Sequence, residues 1–243
     1  MSTNISSVAE VEYPDSDGEP MSDNTVQFAW IQRIAGNLEA IFRERPEVFV
    51  AGNLLWYAVI GRPEIRIGPD VLVAFDRPKG DRGSYRQWEE AGIPPHVVFE
   101  IRSPGNRQRD LDDKFLFYER YGVEEYYLFD PDLNELEGWH RSGNRLIAIS
   151  QMQGWVSPRL NIRFDLSGPE LEIYRPDGQR FLSFAEKDSA QMEAENARRE
   201  SDTARREAVI ERDQAQQALK QAERQLAALA ERLRQLGIDP DSA

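Results

Sequence analysis

The segment that decides the fold of this chain is VVFEIRSPGNRQRDLDDKFLFYERYGVEEYYLFDPD, residues 97–132. Its two ends belong to runs rich in β-branched and aromatic residues, HVVFEIRS (96–103) and EYYLFD (125–130), and such runs are typical of strands. A helix is predicted between them, because apolar residues recur at helical spacing before Gly122, namely Leu111, Phe115, Tyr118 and Tyr121. Strand, helix and strand in this order predict one right-handed parallel unit, and therefore a mixed α/β fold.

Further elements precede and follow this unit. An amphipathic helix is predicted to begin at Asn24 or Thr25 and to end before Pro46, with one face formed by Phe28, Ile31, Ala35, Leu38 and Phe42. Strand-like runs follow it, and these are VFVAG (48–52), LLWYAVI (54–60) and PDVLVAF (69–75). Later segments are typical of hairpins, with an Asp-Gly turn in RPDGQ (175–179). The sequence predicts a mixed β-sheet core flanked by helices over residues 24–184.

The C-terminal part has a different composition. The last aromatic residue is Phe184, and no Pro or Gly occurs between about residues 185 and 236. A heptad seam at alternating three- and four-residue steps is formed by Leu219, Ala222, Leu226, Leu229, Leu233 and Leu236. We therefore predict a coiled-coil helix over 185–238 and a disordered tail over 239–243. Self-association into a homo-oligomer is the favoured use of the seam, and packing back on the body is the alternative.

The N-terminal segment and the cysteine count restrict the class of protein. Residues 1–23 hold six acids and no Lys or Arg, which predicts a disordered acidic leader. The chain has no cysteine, so disulfides, thiolate zinc sites and cysteine nucleophiles are excluded. Neither a signal peptide nor a run of about 18 apolar residues occurs, so we expect no membrane span and a cytoplasmic location.

Charge is distributed unevenly along the chain. The formal net charge is −13, yet residues 24–180 hold 20 basic and 24 acidic residues and are nearly balanced. This part contains two basic clusters, Arg77, Lys79, Arg82 and Arg86, and Arg102, Arg107 and Arg109. Either cluster could contact phosphate groups, and either could be an ordinary set of solvated loop charges.

Two acids occur where a carboxylate is unusual. Glu100 lies inside the apolar run VVFEI, and a buried carboxylate needs a metal ion, an arginine or a lysine opposite it. Asp70 follows Pro69 at the start of another apolar strand. Strand alternation places Val98, Glu100 and Arg102 on one face. From the residues alone, a structural Glu100–Arg102 ion pair at the rim of the sheet is an open alternative to a metal site.

A family resemblance bears on the role of these two acids. PDVLVAF and the block from Val97 to Asp132 resemble the Uma-two family of restriction endonucleases, a branch of the PD-(D/E)xK nuclease superfamily, over about residues 25 to 180. The resemblance implies that Asp70 and Glu100 bind a divalent metal ion, Mg²⁺ or Mn²⁺, and that the substrate is DNA. Our hypothesis adds the carbonyl of Ile101 as a further ligand.

The sequence departs from the superfamily pattern at Arg102, where a lysine is usual two residues after the glutamate. Arginine cannot accept a proton, although it can stabilise charge on a phosphate. The resemblance implies that Lys114 on the following helix takes the catalytic role. In the alternative, Lys114 is a helix lysine paired with Asp110 and Asp113. Tyr118, one turn beyond Lys114, is predicted to be a core aromatic residue close to the site.

A first-helix acid completes many sites of this superfamily, and Glu39 is the candidate, with a solvent-facing glutamate as the alternative. No phosphate-binding glycine loop or GxSxG motif occurs, and no organic cofactor is expected. The first hypothesis is a metal-dependent endonuclease that hydrolyses phosphodiester bonds in DNA. The second is a catalytically silent binding or scaffold protein, in which Arg102 closes a salt bridge with Glu100 and the coiled coil assembles partners.

Overall fold

The computed structural model describes residues 11–16, 18 and 24–235. They form two compact units, which divide between Phe184 and Ala185. The first unit contains the sheets and two helices, α1 (Thr25–Ile41) and α2 (Gln108–Tyr121). The second contains the long helix α3 (Phe184–Gln235) from its second residue onward.

The strands of the first unit follow the predicted order along the chain. They are β1 (Val48–Gly52), β2 (Trp56–Tyr57), β3 (Arg66–Ile67), β4 (Val71–Phe75), β5 (Tyr85–Arg86), β6 (Val97–Ile101), β7 (Glu125–Asp130), β8 (Glu135–Ser142), β9 (Arg145–Ala148), β10 (Arg163–Asp165) and β11 (Glu172–Tyr174).

The main sheet has six strands in the order β1-β4-β6-β7-β8-β9. β6 and β7 are parallel, with Val97 opposite Glu125 and Ile101 opposite Phe129. The other neighbouring pairs are antiparallel. The predicted mixed sheet and the predicted parallel pairing of β6 with β7 are therefore confirmed.

Two smaller sheets accompany the main one, a three-stranded sheet in the order β3-β2-β5 and the pair β10-β11. The prediction of one strand over 54–60 is wrong, because only Trp56 and Tyr57 form a strand. The chain turns directly afterwards, where the Arg62 N–H donates to the carbonyl of Val59 and Gly61 has a φ of 76°. A glycine in this left-handed conformation ends the extended run.

Each face of the main sheet is covered by one helix. On the first face, Ile31, Ile34 and Leu38 of α1 are buried in a cluster with Val97 and Phe99. On the second face, Leu111 and Tyr118 of α2 are buried with Leu72, Val98 and Leu128. Side chains of β6 thus alternate between the faces as the sequence predicts.

The buried face of α1 differs from the predicted one at its start. Phe28 is 40% exposed, whereas Trp30 and Ile34 are buried. Two polar residues, Gln27 and Asn37, also lie on the buried face. The Asn37 amide donates to the carbonyls of Arg33 and Leu182, so this side chain ties α1 to the end of the first unit.

The C-terminus of α2 is held by specific contacts, which matter because this helix carries Lys114 and Tyr118. Gly122 has a φ of 100° and its N–H donates to the carbonyl of Tyr118. The Arg141 guanidinium, from β8, donates to the carbonyls of Tyr118, Glu119 and Val123. These bonds satisfy carbonyl groups that a helix end leaves unpaired, and they fix α2 against the sheet.

Residues 11–16 depart from the prediction of a disordered leader over 1–23. The ring of Tyr13 contacts Tyr57 and Trp88, and the Pro14 carbonyl accepts a hydrogen bond of 2.6 Å from the Tyr57 hydroxyl. The aromatic partners supply the apolar burial that the composition of the leader lacks. Apart from Gly18, the rest of the predicted leader lies outside the described residues.

The helix α3 runs for 52 residues, and none of its described residues is buried. Three residues of the heptad seam, Leu219, Leu226 and Leu229, are 57–66% exposed. Leu236 and the predicted tail over 239–243 lie outside the described residues, so the coiled coil stays a prediction. Within the described ranges, no helix is both long enough and apolar enough to cross a membrane.

Candidate active site

Asp70 and Glu100 lie at the same end of two neighbouring strands. The antiparallel register of β4 and β6 pairs Val71 with Phe99. The next pair in this register is Asp70 and Glu100, which therefore lie opposite each other. Both side chains are buried, with exposed fractions of 6% for Asp70 and 2% for Glu100. The Ile101 N–H donates to Oδ2 of Asp70 over 2.6 Å, which holds the two strand ends together.

Both carboxylate oxygens of Glu100 are bonded by α2. Nζ of Lys114 lies 2.7 Å from Oε2, and the Tyr118 hydroxyl donates to Oε1. Lys114 and Tyr118 are one helical turn apart, so their side chains project from the same side of the helix. The structure therefore places the sequence-predicted lysine on the strand glutamate, and it places Tyr118 in the site as well as in the core.

Arg102 has other partners. Its Nη1 lies 3.5 Å from Oδ2 of Asp130, and its Nη2 donates to Oε1 of Gln108 over 2.8 Å. Arg102 follows the end of β6, where the parallel register places Asp130 of β7 opposite it. The alternative that Arg102 closes a salt bridge with Glu100 is therefore wrong, because the neighbouring strand and α2 supply both residues with nearer partners.

The contribution of α1 is Gln27, a residue that the sequence reasoning missed. Its Nε2 lies 3.3 and 3.4 Å from the two carboxylate oxygens of Asp70 and 3.2 Å from the Ile101 carbonyl oxygen. Three oxygen atoms thus converge on one small volume. One feature of the sequence could have identified Gln27. It is a polar residue four positions before Ile31, and this spacing places it on the buried face of the amphipathic helix.

The structure does not bring Glu39 to the two acids. Glu39 is exposed, and it lies 12 residues after Gln27, which corresponds to about 18 Å along a helix. It lines a groove beside β1. The residue of α1 that contacts Asp70 is Gln27, in the first turn of the helix.

The electrostatics of the site follow from burial and from the closeness of the two acids. The pKa of Asp70 is raised to about 7, because burial and the charge of Glu100 outweigh the opposite effects of Lys114, the Ile101 N–H and Gln27. Burial, together with the neighbouring charge of Glu100, raises the pKa of Tyr118 well above its usual value. Tyr118 therefore acts as a hydrogen-bond donor, and a cation near Asp70 would relieve an unfavourable carboxylate.

The atoms at this end of the sheet that could bind a metal ion are hard oxygen ligands. They are the carboxylates of Asp70 and Glu100 and the carbonyl of Ile101, and a rotation of the Gln27 amide would add its Oε1. No group of three or more His, Cys, Asp and Glu side chains suited to a metal ion occurs among the described residues. The possible ligands therefore combine carboxylate and carbonyl oxygens. Oxygen ligands of this kind fit Mg²⁺ or Mn²⁺ better than zinc.

The two basic clusters differ in their surroundings. In the first, Arg82 bonds to Glu90, and Nζ of Lys79 donates to the Phe42 carbonyl over 2.6 Å. In the second, Arg102 adjoins the acids, while Arg107 and Arg109 are exposed at the start of α2. Nε of Arg109 lies 3.9 Å from Oδ2 of Asp113, one helical turn further along α2.

Comparison with family models places this chain in a known family. The family model Uma2, described as "Putative restriction endonuclease", matches residues 9–162. The chain is also similar to a solved structure, "a putative nuclease belonging to DUF820" from Anabaena variabilis ATCC 29413. That match has 15% identity and a TM-score of 0.43, and it covers 58% of this chain and 74% of the other. No curated protein matches the chain.

Proposed function

The chain belongs to the Uma2 family, as its sequence predicted, and from this premise we propose that it is a metal-dependent endonuclease that hydrolyses phosphodiester bonds in DNA. The observation that carries the proposal is the arrangement of Asp70, Glu100 and Lys114. Two buried acids stand across from each other at one end of the sheet, and a lysine of the following helix is bonded to one of them.

Asp70, Glu100 and the carbonyl of Ile101 would hold Mg²⁺ or Mn²⁺, with Gln27 beside them. The raised pKa of Asp70 supports this role, because a carboxylate in an apolar site gains most from a cation. When bound, the ion supplies Lewis-acid stabilisation of the phosphate and activation of the attacking water.

Lys114 would position the attacking water or accept its proton. The side chain is 28% exposed, so its ammonium group can leave Glu100 and reach a substrate at the mouth of the site. Arg102 is also 28% exposed and keeps its charge at any relevant pH. Its guanidinium would stabilise charge on the scissile phosphate, with Arg107 and Arg109 as contacts to neighbouring phosphates.

The helix α3 would make the protein a homo-oligomer. Leu219, Leu226 and Leu229 follow the heptad spacing and are exposed in the single chain. Pairing with the same helix of a second copy would bury them, as in a coiled coil.

The test is DNA cleavage by the purified full chain. Supercoiled plasmid and single-stranded DNA are incubated with Mg²⁺, with Mn²⁺ or with EDTA. We expect nicking in either metal, none in EDTA, and loss of at least about 100-fold in Asp70→Ala, because the ion then lacks a ligand. Cleavage that persists in Asp70→Ala would exclude the assigned site. A wild type that neither cleaves DNA nor binds Mn²⁺ would favour the scaffold alternative.

A further inference from the structure

The strand β1 forms one edge of the main sheet, and its open side is the feature of interest. In the sheet its one neighbour is β4, and no other described strand pairs with it. An edge strand exposes a row of backbone N–H and C=O groups, which can pair with another extended chain. The inference that follows is independent of the proposed nuclease activity.

The hydrogen bonds around β4 identify which groups of β1 face outward. The Asn53 N–H donates to the Asp70 carbonyl over 3.0 Å, and the Val73 carbonyl accepts from His96 on the far side of β4. Because antiparallel bonds alternate, Phe49 and Ala51 bond to β4, whereas Val50 and Gly52 point away from it. The outward groups of Val50 and Gly52 have no partner among the described residues.

A groove of about 730 Å³ follows this edge. It is lined by all five consecutive residues of β1, Val48–Gly52. Since neighbouring side chains of a strand point to opposite faces, a groove that touches every residue must lie along the backbone edge. The cavity is therefore aligned with the unpaired hydrogen-bonding groups.

The two walls of the groove come from opposite faces of the sheet. On one side α1 contributes Gly36, Glu39 and Ala40, with Arg43 just after the helix, and on the other side lies the loop 79–82. The loop is anchored, because Arg82 bonds to Glu90 and lies 3.9 Å from the ring centre of Phe49. Gly36 and Ala40 are small, so the α1 wall leaves room for the side chains of an added chain.

We propose that β1 is a docking site for an extended segment of a partner polypeptide, which adds to the sheet as a further strand. The unpaired backbone groups select an extended peptide, and the small residues of α1 leave room for its side chains beside Glu39 and Arg43. A lone segment can enter between the two walls. The edge strand of a second copy would bring its own α1 and its own loop 79–82 into the same space.

The test is selection of random nonapeptides against the full chain, followed by fluorescence anisotropy with the selected peptides. Ala40→Trp fills the groove, and Val50→Pro removes one outward N–H. We expect both variants to weaken peptide binding by at least about tenfold. The matched control is Ala148→Pro on the other edge strand, β9, which should bind like the wild type.

Each other outcome contradicts the proposal. Failure to enrich any peptide, or equal binding by Ala40→Trp, would show that the groove is not a peptide site. A lower oligomeric state of Ala40→Trp in sedimentation would identify a second copy as the occupant. Wild-type peptide binding by a Val50→Pro variant that circular dichroism shows to be folded would mean that the outward N–H of Val50 is not used for docking.

Discussion

Nζ of Lys114 lies 2.7 Å from Oε2 of Glu100, although the two residues belong to a helix and a strand that are joined by a loop. The superfamily pattern expects a lysine two residues after the glutamate, and Arg102 stands there instead. Lys114 of α2 places an amine on this carboxylate. Arg102, held by Asp130, stays at the rim, where a phosphate could reach it.

Asp70→Asn should stabilise the protein at alkaline pH. The pKa of Asp70 is raised from 3.8 to about 7, so its charge opposes folding by an amount that grows from about pH 4 and is complete above about pH 7. Asparagine keeps an acceptor for the Ile101 N–H. Urea unfolding should show a gain on the order of 3 kcal/mol at pH 8 and a much smaller gain at pH 5.

Asp130→Asn is the control for that experiment, because Asp130 is paired with Arg102 and should show no such gain. An Asp70→Asn protein that is less stable than the wild type at pH 8 would mean that the carboxylate is already well compensated without a metal ion.

Mn²⁺ should raise the melting temperature of the wild type, and its affinity should rise with pH. Binding requires the carboxylate form of Asp70, so the apparent affinity should increase between pH 6 and pH 8 and then level off. Isothermal titration at three pH values measures this. An affinity that does not change over that range would place the ion away from Asp70.

Tyr118→Phe and Tyr126→Phe should differ in stability. Both side chains are buried in the same cluster, but the Tyr118 hydroxyl donates to Glu100, whereas the Tyr126 hydroxyl has no hydrogen-bond partner among the described residues. Removing the Tyr118 hydroxyl should cost about 1–3 kcal/mol, and removing the other should be neutral or stabilising. Equal losses in urea unfolding would contradict the assigned bonding.

Gln27→Glu should destabilise the metal-free protein and bind Mn²⁺ more tightly. The change places a third carboxylate beside the two oxygens of Asp70 and the Ile101 carbonyl, where like charges repel until a cation binds. Thermal unfolding with and without Mn²⁺ measures both effects. Glu39→Gln is the control, since Glu39 is exposed and about 18 Å away along α1, and it should change neither quantity.

The burial of Asp70 and Glu100 was predictable from the sequence, because its signals are local. A carboxylate inside VVFEI and another after Pro69 stand out from apolar strands, and helical spacing predicts that Lys114 and Tyr118 share a side. The partner of Arg102 was not predictable in this way. It depends on the register of β6 with β7, which places Asp130 opposite Arg102 and is set by tertiary packing.

The position of α1 against the sheet could not be predicted from the sequence either. A helical pattern identifies the buried face, but it does not say which turn of the helix reaches the ends of the strands. Glu39 and Gln27 differ by 12 positions, and only the packed structure places Gln27 on Asp70. The short strand β2 is a similar case, since a glycine turn interrupts a run that is apolar throughout.

The most direct test of the central claim is a crystal of the full chain soaked in Mn²⁺. We expect an anomalous peak within about 2.5 Å of oxygen atoms of Asp70, Glu100 and the Ile101 carbonyl, with the Lys114 ammonium displaced from its contact. Absence of a peak there at saturating Mn²⁺, with Lys114 still bonded to Glu100 and Gln27 still between Asp70 and Ile101, would contradict the claim that these residues form a metal site.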